Sequence, residues 1–338
     1  MESQSGADRI EGLDVLRGYS AFGVFLFHCI VLIPSLSNLT IFGSLASHGW
    51  KGVWVFYVIS GFVIPYSISH QPDQMRLAKN FLLRRLIRIQ PSFLAALALA
   101  VLIHGVLLGN PEYLNISAIA INSFYAAPFT NHTWILSISW TLGVEAQFYI
   151  CIAFSYPYLT SNTPAIRRTS LAVFICLFLA SKTLPEYHWC LLPTWTPFFA
   201  TGLIVFLTRT GKITTKEFIF ITIITILLLL NTWTKWFTLI AFLSGLFIFT
   251  LPTNRKLKMP GYFLGKISYS FYLVHMPIMI AVKHYWIEPM NLASRHPFLS
   301  ILLFFTSVIV VAVPFYILVE KPSIAWSRRL RGKLELQA

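Results

Sequence analysis

The chain has 338 residues, of which 56% are hydrophobic and only 11% charged, and its net charge is +14. Soluble domains carry about 25% charged residues, so the composition excludes an ordinary soluble enzyme and predicts an all-α polytopic membrane protein. The positive charge lies in short clusters between apolar runs, which is typical of membrane-orienting loops and speaks against nucleic-acid binding.

Apolar runs recur along the whole sequence and predict about ten transmembrane helices. In chain order the predicted spans are 14–36, 50–69, 91–109, 134–157, 168–184, 189–208, 216–232, 234–251, 264–283 and 298–319. If both termini are cytoplasmic, most lysines and arginines fall on the cytoplasmic side, as the positive-inside rule requires. We therefore expect a single integral membrane domain over 1–338 with both termini inside the cell.

The first predicted span contains two ionisable side chains, Arg17 and His28, with ten residues between them. On an α-helix these side chains lie roughly 20° apart around the axis and about 16 Å apart along it. Ionisable groups inside a membrane span are costly and usually face a polar cavity or a partner. The pair therefore marks a candidate site on one face of the first helix.

Two further ionisable residues are expected near the middle of the membrane. Glu145 is about 16 Å from the outer end of the fourth span, and His275 is about 16 Å from the cytoplasmic end of the ninth. A histidine near a carboxylate suits general-base catalysis, because imidazole titrates near neutral pH and the carboxylate holds its tautomer. The alternative is that each group only makes an interhelical hydrogen bond.

A second basic cluster precedes the third predicted span. Arg85 and Arg88 are three residues apart, so on a helix they share a face and could grip a phosphate group. Taken alone, they fit an ordinary positively charged flank. Together with Arg17 they could seat a polyphosphate such as coenzyme A on one side of the membrane. No cysteine or histidine spacing suggests a metal site.

Six sequence segments, taken in order, resemble acyltransferase family 3, the membrane O-acyltransferases that typically modify bacterial surface glycans. The similar segments are 13–28, 52–62, 85–91, 139–149, 268–275 and 320–322. The resemblance spans 9–322, which we take as the core, and leaves a basic cytoplasmic tail at 323–338.

This resemblance implies a protein of the cell inner membrane with ten core helices. It also implies an acyl donor from cytoplasmic acyl-CoA, most often acetyl-CoA, and a carbohydrate hydroxyl as acceptor. Arg17 and His28 match the arginine–histidine motif of the family, Arg85 and Arg88 match its second arginine motif, and Glu145 matches its carboxylate in the fourth span.

The sequence thus predicts an O-acetyltransferase acting on a cell-surface or lipid-linked glycan. Arg17, Arg85 and Arg88 are the expected coenzyme A ligands, and Arg17, His28, Glu145 and His275 are the candidate catalytic residues. His28 is expected either to act as general base on the acceptor hydroxyl or to take the acyl group transiently, and Glu145 is expected to orient or recharge an imidazole. Two alternatives stay open. One is a transporter or flippase of a glycan or lipid precursor, and the other is an acyltransferase for a small-molecule acceptor.

Overall fold

The computed structural model describes residues 10–69, 77–130, 132–184, 189–232, 235–252 and 261–336. Their regular structure is helical, with no strand among these residues, which confirms the all-α class. The α-helices are α1 Glu11–Leu32, α2 Thr40–Ser47, α3 Gly52–Ile68, α4 Leu77–Val101, α5 Ile116–Ser123, α6 Trp140–Leu159, α7 Pro164–Ala180, α8 Leu192–Arg209, α9 Thr215–Thr232, α10 Lys235–Thr250, α11 Tyr262–Lys266, α12 Ser268–Val282, α13 Leu292–Arg295, α14 Pro297–Phe315 and α15 Lys321–Leu336.

Each of the predicted membrane spans overlaps one of these helices. Among the described residues, four helical stretches are long and apolar enough to cross a membrane, namely Glu11–Leu32, Thr40–Ile68, Ala78–Leu107 and Pro297–Leu330, and Lys235–Thr250 is a shorter apolar helix. These lengths and compositions are those of a membrane protein. The total of about ten spans and the cytoplasmic position of both termini stay predictions.

The third predicted span begins much earlier than expected. The sequence predicts a start at Pro91, but α4 begins at Leu77 and carries Pro91 in its interior. Proline has no N–H to donate and usually ends a helix, yet apolar helices tolerate it where neighbours satisfy the freed backbone groups. As a result, Arg85 and Arg88 lie on the helix itself and not in a loop before it.

The chain divides into two compact units that alternate along the sequence. The first unit comprises Met1–Leu16, Trp54–Leu82 and Val144–Tyr262, and the second comprises Arg17–Val53, Leu83–Gly143 and Phe263–Ala338, each as far as it is described. A single integral domain over 1–338 therefore stays a prediction.

Close packing of α3 against α8 organises the first unit. Gly61 lies against the backbone of Phe199, and Gly202 lies against the backbone of Val58, with no room for a Cβ at either glycine. Small residues allow helix backbones to approach closely where the surrounding lipid gives no hydrophobic driving force. The two glycines therefore fix the spacing of α3 and α8.

In the second unit, α12 packs along α14 and against α1. The ring of Phe271 on α12 lies 5.7 Å from that of Phe25 on α1 and 6.2 Å from that of Phe305 on α14. Such aromatic contacts stabilise packing beyond the area they bury. They hold α1 beside α12, so polar side chains on the two helices can meet.

Candidate active site

Two histidines from distant parts of the sequence meet in the second unit. His28 on α1 and His275 on α12 form a hydrogen bond of 3.0 Å between Nδ1 of His28 and Nε2 of His275. Their ring centroids are 4.9 Å apart. His275 is buried, with 1% of its surface exposed, whereas His28 is partly exposed. The structure thus places a partly exposed imidazole beside a buried one, while the catalytic role of either stays a prediction.

Each ring also contacts a backbone carbonyl of its own helix. Nδ1 of His28 lies 3.0 Å from the carbonyl oxygen of Val24, and Nδ1 of His275 lies 2.5 Å from that of Tyr272. These contacts arise because a side chain on a helix leans back toward the preceding turn. They restrict how each ring can turn and which nitrogen can carry a proton.

The polar side chains of α12 connect four parts of the second unit. Tyr269 donates to the carbonyl oxygen of Ile89 on α4 at 3.1 Å, and the Tyr272 hydroxyl lies 2.9 Å from that of Thr141 on α6. Ser270 donates to the carboxylate of Glu320, and His275 contacts α1. The sequence around 268–275 therefore supplies the hydrogen bonds that position α12.

Glu320 is a buried carboxylate at the end of a π-helical turn, Tyr316–Glu320, between α14 and α15. This wider turn directs Glu320 inward, while Ile317 and Leu318 remain exposed. One carboxylate oxygen, Oε2, accepts hydrogen bonds from the backbone N–H of Ser270 at 3.1 Å and from its hydroxyl at 2.5 Å. Glu320 thus caps the first turn of α12, where backbone N–H groups have no partner within the helix.

The positive charges of Arg17 and Arg88 both act on the Glu320 carboxylate. Arg17 is half-buried on α1, and Arg88 is exposed on α4. Two of the three predicted coenzyme A ligands thus lie within electrostatic reach of one carboxylate. Arg85 is half-buried three residues before Arg88 on the same helix. Coenzyme A binding by these arginines stays a prediction.

Glu145 belongs to the first unit, on α6. Its carboxylate is half-buried and accepts a hydrogen bond of 2.6 Å from the hydroxyl of Ser60 on α3. Gln147, two residues later, bridges the carbonyl oxygen of Cys190 and the N–H of Leu192, both at 2.9 Å. These bonds position the start of α6 against α3 and α8. Orientation of an imidazole by Glu145 stays a prediction.

Sequence reasoning did not single out two of these polar contacts. Ser60 is interpreted from sequence only as a small residue that permits close helix packing, yet it donates to Glu145. From the sequence, Glu320 is expected as a charged helix end at the interface that could pair with a cytoplasmic arginine. In the structure it is buried against Ser270, within electrostatic reach of Arg17 and Arg88. The signal that could have found Glu320 is its place within an apolar helical stretch, because a buried carboxylate there needs partners.

A family model described as an acyltransferase domain, that of acyltransferase family 3, matches residues 10–317. No curated protein and no solved structure matches the chain. The matched region contains both histidines, all three arginines and Glu145, and it ends three residues before Glu320.

Proposed function

Since the chain belongs to acyltransferase family 3, we propose that it is an O-acetyltransferase of the cell inner membrane. The donor is cytoplasmic acetyl-CoA, and the acceptor is a hydroxyl of a cell-surface or lipid-linked glycan. The bilayer holds the enzyme between these two substrates. The reaction forms an acetyl ester on the glycan and releases coenzyme A.

The observation that carries this proposal is the distance along α1 between a cationic and an imidazole side chain. Arg17 and His28 lie eleven residues apart on one continuous helix, which corresponds to about 16 Å. An extended pantetheine arm has a comparable length. A coenzyme A whose phosphates bind at Arg17 can therefore bring its thioester to the level of His28.

The proposed binding site for the phosphates of coenzyme A consists of Arg17, Arg88 and Glu320. Guanidinium groups bind phosphate through paired N–H donors, and the exposed Arg88 is accessible to a soluble ligand. The buried carboxylate lies within electrostatic reach of both arginines. Because their two positive charges exceed its single negative charge, this cluster keeps a net attraction for an anion. Arg85 adds a third cation on the same helix as Arg88.

His28 acts as the general base at the thioester end of the proposed donor site. Its ring is partly exposed and is held by α1 and His275, so it can take a proton from an incoming hydroxyl. The hydroxyl oxygen then attacks the thioester carbonyl carbon. General-base catalysis of this kind contributes about 10²- to 10⁴-fold in rate.

Transfer of label from [14C]acetyl-CoA tests the proposal. Membranes containing the wild type, Arg17→Ala or His28→Ala receive a mixed bacterial glycan fraction, and base-labile label in the glycan is counted. The matched controls are Arg168→Ala, which removes an exposed arginine paired with Glu217, and His132→Ala, which removes a loop histidine that hydrogen-bonds Ser117. We expect transfer by the wild type and both controls, and a loss of at least about 100-fold in His28→Ala.

Three results would contradict parts of this proposal. Equal transfer by His28→Ala and the wild type would remove the proposed base. Transfer from longer acyl-CoA in preference to acetyl-CoA would correct the donor, and label in a small-molecule acceptor would correct the acceptor. Folded wild-type protein that neither transfers acetyl nor binds coenzyme A would refute acetyl transfer altogether.

A further inference from the structure

We propose that His275 is a positioning residue that fixes the proton of His28 on Nδ1. Nε2 of His28 is then the atom that accepts the proton of the acceptor hydroxyl. This inference rests on the proposed acetyl transfer and adds to it which nitrogen acts and what holds it in the required state. In many enzymes a carboxylate holds the catalytic imidazole, whereas here a second, neutral imidazole does so.

The hydrogen bonds of His275 assign its own proton first. Nδ1 of His275 lies beside the carbonyl oxygen of Tyr272. A carbonyl oxygen only accepts hydrogen bonds, so Nδ1 must carry the proton. A neutral imidazole has a single N–H, so Nε2 of His275 is an acceptor.

The same reasoning then applies to His28. Its Nδ1 lies 3.0 Å from Nε2 of His275 and 3.0 Å from the carbonyl oxygen of Val24. Because both neighbours are acceptors, Nδ1 of His28 carries the proton and donates to both. Nε2 of His28 is therefore unprotonated, and it makes no hydrogen bond to any residue that the structure describes.

Packing keeps His275 from offering its other nitrogen. The ring of Phe271 lies nearly parallel to it, at 7° and 6.3 Å, and the ring of Tyr272 is 5.6 Å away. Tyr272 is itself held by its contact with Thr141. A buried ring in such surroundings keeps one orientation, so its acceptor nitrogen stays directed at His28.

The chemical step balances with these groups alone. Nε2 of His28 takes the hydroxyl proton as the oxygen bonds to the thioester carbonyl carbon, which gives a tetrahedral intermediate. The carbon–sulfur bond then breaks, and Nε2–H returns the proton to the departing thiolate. The products are the acetyl ester and the free thiol of coenzyme A. While His28 is positively charged, its Nδ1–H still donates to His275, which stabilises the cation.

Two substitutions of His275 separate positioning from mere packing. His275→Gln offers an amide oxygen as an acceptor for His28, whereas His275→Leu fills space and accepts no hydrogen bond. We expect His275→Leu to lower kcat by about 100-fold with an unchanged KM for acetyl-CoA, and His275→Gln to recover about tenfold of that loss. Equal kcat values in the two folded variants would overturn the proposal.

A spectroscopic measurement decides the same point on the unmodified enzyme. Solid-state 15N NMR of histidine-labelled wild type in lipid distinguishes protonated from unprotonated ring nitrogens, and the His28 signals are identified by their absence in His28→Gln. We expect protonated Nδ1 and unprotonated Nε2 on His28. A proton on Nε2 in the resting enzyme would refute the assignment, even if acetyl transfer itself is confirmed. Missing transfer by wild type would refute the proposed function instead, and the NMR result would still decide the tautomer.

Discussion

The contact between Glu320 and Ser270 gives a prediction whose size follows from its hydrogen bonds. Glu320→Gln keeps the shape of the side chain and an acceptor oxygen but removes the negative charge. In the wild type, the Ser270 hydroxyl donates to a carboxylate oxygen at 2.5 Å. In the variant, the same hydroxyl can donate only to a neutral amide oxygen.

The single substitution alone would be hard to interpret. Burying a carboxylate costs free energy that the neutral amide saves, and this saving opposes the loss of the charge-assisted bonds. A double-mutant cycle with Ser270→Ala removes that problem, because the desolvation of the carboxylate cancels between its two sides. Hydrogen bonds to charged groups contribute about 1.5–3 kcal/mol and neutral ones about 0.5–1.5 kcal/mol. We therefore expect a coupling free energy of about 1 kcal/mol.

The free energy of unfolding of the four proteins is measured by tryptophan fluorescence in mixed micelles with rising sodium dodecyl sulfate. Glu320→Gln with Ser300→Ala is the matched control, because Ser300 is buried, donates to the carbonyl oxygen of His296 and lies about 30 Å along the helix from Glu320. The effects of these two control substitutions on the free energy of unfolding should add to within about 0.3–0.5 kcal/mol. If the coupling free energy between Glu320 and Ser270 were as small as that of the control pair, the carboxylate would not hold α12.

Three further predictions concern the donor site, the first unit and its packing. Arg88→Ala should raise the KM for acetyl-CoA about tenfold with little change in kcat, because a charge-assisted phosphate contact is lost. Initial-rate measurements check this, and the matched control Arg168→Ala should change neither value. Ser60→Ala should lower the free energy of unfolding by about 1–3 kcal/mol, because the half-buried Glu145 loses its 2.6 Å donor; equal stability by denaturant titration would contradict this. Gly202→Ala should lower the same free energy by about 1–3 kcal/mol, because its Cβ collides with the backbone of α3; a wild-type unfolding midpoint would refute that close contact.

Sequence alone was sufficient for the helical class and for the separation of two residues along α1. The 56% hydrophobic composition and the recurrent apolar runs predicted an all-helical membrane protein, since a helix satisfies its own backbone hydrogen bonds in lipid. The separation of Arg17 from His28 followed from helix geometry, and α1 is indeed continuous through both. The family was identified from short segments whose order along the chain carries the information, and the family model confirms it.

Tertiary structure decided which helices meet. His28 and His275 are 247 residues apart in sequence, and Ser60 and Glu145 are 85 apart, yet both pairs form hydrogen bonds. Hydropathy gives no such pairing, because a helix that is apolar on all sides does not show which face meets a neighbour. Depth in the membrane could be estimated from position in a span, but lateral contact depends on packing.

The dependence on packing also explains two differences between the predicted and the observed structure, the early start of α4 and the burial of Glu320. A proline is expected to end a helix, and α4 continues through Pro91 because tolerance depends on surrounding helices. A charged residue before Lys321 and Pro322 is expected at an interface, and the π-helical turn directs Glu320 to Ser270 instead. Sequence therefore determined the helical class and the residue types of the site. The packing of α1, α12 and α14 decided which polar atoms face each other, because that choice depends on contacts between distant segments.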